Sequence, residues 1–175
     1  MKRSFRIVLL LVFLGGATSP LICGEIGFMG INIGMSRDEV LSYADENELV
    51  HVPKNRDVEF FPVEERKILA LSIEPEVPHL YLQFYTDRLY AITLVFNERY
   101  IDFFTLAETL EEKYGLVQEL TPRWRKWEIA GIEIRVEKPA VVKYIALKEF
   151  LEATNFDGQR EKTITERQAI LLEGL

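Results

Sequence analysis

The sequence predicts an α+β domain in which an antiparallel sheet carries helices packed on one face. Three observations lead there. Apolar residues alternate in short blocks, as in Leu80, Leu82, Phe84 and in Ile132, Ile134, Val136, which is the period of a strand with one buried face. Two other stretches repeat apolar residues at spacings of three and four, the period of a helix. Their order is helix then strands, twice, which suits helices gathered on an antiparallel sheet and allows two tandem helix-plus-strands units. The 175 residues are 48% apolar and 28% charged, enough for one core and unlike a disordered or disulfide-framework chain.

Residues 1–23 read as a signal segment. Lys2, Arg3 and Arg6 precede an unbroken apolar run from Ile7 to Leu14, and Gly15, Gly16, Ala17, Thr18, Ser19 and Pro20 end it. A cationic start, a short apolar core and small residues make up the layout of a secretory signal. The core falls short of the about 20 residues that a spanning helix needs. Two glycines and Pro20 weigh against an uncleaved anchor from Ile7 to Ile22. Cys23 is the only cysteine, so no internal disulfide can form. With Leu21 before it and Gly24 after it, Cys23 resembles the lipobox of bacterial lipoproteins, apart from a bulky Ile22 where that signal has a small residue. The resemblance implies lipidation at Cys23 and membrane contact through that anchor. A cut before Glu25 would instead leave a soluble periplasmic or secreted protein. The formal charge of −7 becomes about −10 without the three basic residues of 1–23. Such a chain has no general electrostatic attraction to nucleic acid or to an anionic bilayer.

Residues 24–155 read as a single α+β domain. Gly30 to Gly34 is a short extended lead-in. Ser36 and Glu39 form a capping box for a first helix with Val40, Leu41 and Ala44 on its buried face. Asp38 and Glu39 suit the positive end of that helix, and Asn47 suits a left-handed stop. Residues 51–67 are the least regular, with a short strand at Val58 to Phe61. Leu69 to Glu74 reads as a strand, and Pro75 and Pro78 bracket a turn. His79 to Tyr85 and Leu89 to Asn97 read as a hairpin about Thr86-Asp87-Arg88. The second helix spans Phe103 to Tyr114, with Phe103, Leu106, Ala107, Leu110 and Tyr114 inward, Asp102 or Thr105 as its cap, and Gly115 as its stop. Residues 116–121 read as a strand. Trp124 to Ile129 and Ile132 to Glu137 pair about Ala130-Gly131, with Glu133, Arg135 and Glu137 on a solvated side. Val141 to Leu147 is a further strand, and Lys148 to Thr154 adds a helical turn. Residues 156–175 read as a peripheral helix or a mobile tail.

The run Gly30-Ile31-Asn32-Ile33-Gly34-Met35-Ser36-Arg37-Asp38-Glu39-Val40-Leu41 resembles the opening of the BamE/SmpA/OmlA outer-membrane lipoproteins and of proteins with the related fold of the β-lactamase inhibitor protein. That resemblance implies a pair of helices on an antiparallel sheet. Gly34 would shape the approach to the first helix, Ser36 would cap it, and Val40 and Leu41 would pack on the sheet. Residues 48–175 depart from BamE in length and in the second helix-strand unit. The resemblance therefore implies a fold and carries no activity.

Catalytic motifs are absent from the sequence pattern. His51 and His79 lack the Cys, His or Asp spacing of a transition-metal site, and each reads as a surface or edge residue. Ser36, Ser42 and Ser72 are the only serines after residue 23, and none sits in a nucleophile elbow. With 28 carboxylates in the chain, a close pair is uninformative. There is neither a Gly-rich phosphate loop nor a calcium-loop spacing. No cofactor and no metal is implied.

One cluster stands out, Arg123-Trp124-Arg125-Lys126-Trp127, which sets three cations among both tryptophans of an acidic chain. It reads as a candidate binding surface for an acidic partner or a glycan, or as an ordinary strand with Trp127 in the core. Alternation places Arg123, Arg125 and Trp127 on one side. Tyr81 and Tyr85, with Tyr90, are further candidates on a sheet face. The expectation is a non-enzymatic bacterial cell-envelope protein, exported to the periplasm and lipid-anchored, that binds an envelope protein partner as an assembly or scaffolding accessory. The alternative is a secreted inhibitor or ligand-sensing module that binds a hydrolase or a soluble ligand.

Overall fold

The structure, a computed structural model, describes residues 26–53 and 66–154. Cys23, the segment Val58 to Phe61 and residues 156–175 lie outside the described residues. The described residues begin with a small hairpin of β1 (Gly27–Phe28) and β2 (Ile31–Asn32), so only Ile31–Asn32 of the extended lead-in expected over Gly30 to Gly34 is strand. Met29 and Gly30 both have positive φ at its turn, and a Cβ on Gly30 would lie 2.8 Å from the Tyr43 ring. Glycine suits both the backbone and the space there.

Helix α1 (Arg37–Glu46) starts on the expected capping box: the Glu39 N–H donates to Ser36 Oγ, and the Ser36 N–H donates to Glu39 Oε2 at 2.7 Å. Its stop differs from expectation. Asn47 is extended, at φ −103°, and donates its N–H to Ala44 O. The Asn47 side chain explains why: its Nδ2 donates to Tyr43 Oη and its Oδ1 accepts from the Leu49 N–H, so the carbonyl end is closed without a left-handed residue.

Seven strands form one antiparallel sheet: β3 (Arg66–Ile73), β4 (Val77–Tyr85), β5 (Arg88–Val95), β6 (Glu119–Leu120), β7 (Trp124–Ile129), β8 (Ile132–Glu137) and β9 (Val141–Ala146), in the order β3-β4-β5-β9-β8-β7-β6. The hairpin turns fall where expected. Thr86 and Asp87, and then Ala130 and Gly131, have positive φ at both central positions, the backbone that matches strand twist. β5 and β9 pair Ile92 with Tyr144 and Leu94 with Val142, which joins the two helix-plus-strands units into a single sheet. The expected strand at 116–121 shrinks to β6. Beyond it the Gln118 side chain takes over the pairing of β7, accepting from the Glu128 N–H at 2.9 Å and donating to Glu128 O at 3.2 Å.

One face of the sheet carries Leu69, Leu71, Leu80, Leu82, Phe84, Ile92, Leu94, Val142, Tyr144, Ile134, Val136 and Trp127. These residues form the main core with Val40 and Ala44 of α1 and with Phe103, Leu106, Ala107 and Leu110 of α2 (Phe103–Tyr114). Asp102 caps α2 by accepting from the Thr105 N–H at 2.8 Å, and Gly115 closes it at φ 84°. A third helix, over 147–154, supplies Ala153 to a smaller cluster with Tyr90, Ala91 and Ala146, against which Tyr85 and Ile145 pack. Tyr90 is therefore buried, at 2% exposure. It is the extra residue of a bulge between Leu89 and Ala91, and its hydroxyl bonds Gln83 Oε1 at 2.9 Å.

Candidate functional site

Strand alternation divides the Arg123–Trp127 cluster between two environments. Arg125 and Trp127 lie on the core face, under α2. Trp127 is fully buried, and its Nε1 donates to Gly115 O at 2.8 Å, tying β7 to the end of the helix. Arg125 pairs with Glu111 of α2 at 3.3 Å, and its guanidinium carbon stands 6.0 Å from the Phe103 ring centroid. Trp124 and Lys126 point to the opposite, solvated face. Arg123 precedes β7 at the end of the sheet.

On the solvated face, register makes a grid. Lys143, Arg135 and Lys126 lie directly opposite one another across β9, β8 and β7, and Tyr81 and Thr93 extend the same row across β4 and β5. Like charges directly opposite repel, and carboxylates in the neighbouring rows offset this. Arg135 donates through Nε to Glu133 at 2.9 Å and through a terminal nitrogen to Glu137 at 3.2 Å, Lys143 meets Glu137 at 2.8 Å, and Lys126 meets Glu119 of β6 at 2.5 Å. The bond to Glu119 holds the Lys126 pKa above its usual value. The Trp124 ring lies within 5.7 Å of Lys126 Nζ and 5.4 Å of the Arg135 guanidinium carbon. Tyr81 stacks on the exposed His79 at 5.9 Å between centroids. Tyr85 stands apart, in the cluster near the third helix. It lines a second cleft with Arg88, Gly131 and Lys148.

The end of the same strands is different. A cleft of about 660 Å³ lies between the start of α2 and the flanks of β7 and β8, lined by Glu98, Asp102, Phe103, Phe104, Arg123, Lys138 and Pro139. That volume falls within the range of ligand pockets. The Lys138 N–H donates to Arg123 O at 2.8 Å, which sets the two cationic residues side by side. Lys138 Nζ sits 5.4 Å from the Phe103 centroid and 5.7 Å from that of Phe104, with the two rings edge to face. Phe104 and the nearby Tyr100 are each 58% exposed. The sequence reading passed over both. A signal was available in the Phe103-Phe104 doublet, because a helix that buries Phe103 turns its neighbour outward.

Titration adds little chemistry to these surfaces. The Asp102 carboxyl lies below its usual range because it accepts from the Thr105 backbone, and Glu39 does the same through the Ser36 backbone. Burial, then the neighbouring Tyr114 phenol, pushes Tyr144 far up; Tyr114's own buried hydroxyl makes no hydrogen bond of good geometry among the described residues. Each displaced group moves away from neutrality, the opposite of what a general acid or base working near pH 7 requires. Among the described residues no cluster of three or more His, Cys, Asp or Glu could hold a metal ion, and no helix is long and apolar enough to cross a membrane.

The family model of the TP0088 domain matches residues 26–155, the greater part of the chain, so the protein belongs to the TP0088 domain family. No curated protein and no solved structure matches it.

Proposed function

We propose that this TP0088-domain protein is a non-enzymatic accessory of the bacterial cell envelope, exported to the periplasm and lipid-anchored through Cys23, that binds another envelope protein. The observation that carries the binding role is the end of the sheet around α2, where the exposed Phe104 lines a cleft with Arg123 and Lys138, neither of which meets a carboxylate among the described residues. Aromatic and Arg side chains of this kind anchor protein interfaces. The address rests on the leader-like residues 1–23 and on the lone Cys23 at their end. A single acyl chain holds a membrane only marginally, whereas two hold it firmly, so a diacylglyceryl cysteine suffices as the anchor of an acidic chain.

Photo-crosslinking tests the role. A benzophenone amino acid at position 104 of the full chain, irradiated in intact envelopes, is expected to trap the same envelope protein in repeated preparations, and the same probe at the solvated Glu128 is expected to trap none. Failure to trap any protein at position 104 overturns the reading, and trapping a soluble hydrolase instead favours the inhibitor alternative. The anchor is tested by Cys23→Ser, which is expected to leave unprocessed precursor or to release soluble protein. A mature N-terminus at an unmodified Glu25 overturns the anchor.

A further inference from the structure

We infer that the cleft beside α2 binds an extended segment of the partner protein in which a carboxylate adjoins an aromatic or branched aliphatic side chain. This deepens the protein-binding reading above and rests on it. Six cations lie on or beside β7, β8 and β9. Arg125, Lys126, Arg135 and Lys143 each meet a carboxylate of this chain. Arg123 and Lys138 meet none among the described residues, and both line this cleft. Their placement is fixed by the strand flanks that carry them, through the backbone bond between them. Lys138 rests on the Phe rings, and a cation on a ring face keeps its N–H groups free for an acceptor.

The two acids of the cleft constrain the occupant. Asp102 is committed to the Thr105 N–H, so the helix start is already closed and the positive charge available is that of side chains. Glu98 lines the same cleft, so an acceptor's negative charge is directed to Arg123 and Lys138. A peptide segment places its carboxylate there and its apolar side chain on Phe104, a contact that a small inorganic anion cannot make. The Arg123 fork would take the carboxylate in two parallel bonds. The exposed Phe104 leaves the cleft open to solvent along one side, as passage of a continuing chain requires.

Selection of a displayed random heptapeptide library on the immobilised full chain, in mild detergent, tests the inference. Enriched peptides are expected to carry Asp or Glu next to an aromatic or branched aliphatic residue. Their fluorescein-labelled versions are expected to bind at least about tenfold more weakly to R123Q/K138Q and to F104S, and to lose affinity equally when the peptide acid becomes the amide. A thermal melt like that of the unaltered protein establishes that each variant is folded. If F104S fails that check, R123Q/K138Q and the amide peptide decide. No enrichment, enrichment without acidic residues, or equal binding by R123Q/K138Q overturns the inference. Peptides that behave as expected, together with no protein trapped at position 104 in envelopes, keep the cleft chemistry and overturn only the envelope role.

Discussion

On the solvated face of β7, β8 and β9, Lys126, Arg135 and Lys143 each have a carboxylate within 3.2 Å. A few residues further along the same strands, Arg123 and Lys138 have none among the described residues and stand instead against exposed aromatic surface. The two regions share residue types and strands, and they differ in whether the chain answers its own charges: the paired cations are half-buried, and Arg123 and Lys138 are exposed. A cation paired within the fold is already committed, and recruiting it to a partner means breaking an internal contact first. An unpaired cation costs little in water and is available. The grid therefore reads as a charged surface that holds its own register, and the cleft as a surface left incomplete.

The largest expected effect tests what the two regions share, the attachment of α2 to the sheet. Leu110 is buried on α2 against the main core. Leu110→Ala should cost about 2–5 kcal/mol, a large share of the about 5–15 kcal/mol of a typical domain. It should weaken the cleft more than the grid, because α2 walls only the cleft. Urea denaturation measures the cost, and an unchanged midpoint would show that the helix is not packed as described.

The next effect belongs to the grid. Arg135→Gln removes the bonds to Glu133 and Glu137 and the cation over Trp124, while also relieving the repulsion from Lys126 and Lys143. The bonds to charged groups outweigh repulsion between side chains that lean toward their own carboxylates, so the net loss should be about 1 kcal/mol. Because these side chains are partly solvated, the loss should shrink in 1 M salt, where the screening length is about 3 Å. An equal loss at low and high salt would mean that packing on Trp124, and not charge, accounts for it.

Much of this was legible from sequence, and the reasons for what was not are physical. Helix α2 was readable because its apolar spacing, its Asp102 cap and its Gly115 stop all agree. The separation of Trp127 from Trp124 followed from alternation alone. The partners of Arg135, Glu133 and Glu137, lie two residues away on its own strand and follow from alternation, whereas the pairs Lys143–Glu137 and Lys126–Glu119 were hidden, because they depend on the register of β9 against β8 and of β6 against β7. Tyr90 looked exposed because a bulge, invisible in the sequence, turns it into the cluster under Ala153. Asn47 looked like a left-handed stop because asparagine tolerates that backbone, and its side-chain bonds to Tyr43 and Leu49, which no local pattern shows, hold it extended instead. The cleft itself joins residues 98–104 to 123 and 138–139, and only the folded sheet brings them together.

A smaller effect separates charge used for folding from charge left for binding within the cleft. Asp102 is held as a carboxylate by the Thr105 backbone, so its folded pKa lies below its unfolded value. A lowered carboxyl pKa contributes stability above the unfolded pKa of about 3.9, and that contribution disappears as the pH falls through the folded value. Asp102→Ala should therefore lower the urea midpoint at pH 7, and the gap to the unaltered protein should narrow steadily below about pH 4. A gap independent of pH would mean that Asp102 acts through shape and not through its charge.

The smallest expected effect on stability is the sharpest test of the comparison. Arg123 and Lys138 make no ion pair among the described residues, and Lys138 gives up only its contacts with two rings already held by α2. Arg123→Gln and Lys138→Gln together should change stability by no more than about 0.5 kcal/mol, as surface substitutions generally do. The change should not depend on salt, in contrast to Arg135→Gln. Thermal melts of the two variants in low and high salt, run side by side, make the measurement. A loss by the double variant that matches that of Arg135→Gln would mean that the cleft cations already serve the fold, and the case for a partner's carboxylate would fall with it. A silent double variant leaves these two positive charges with no work inside the chain, which is the condition under which a partner can use them without first taking the protein apart.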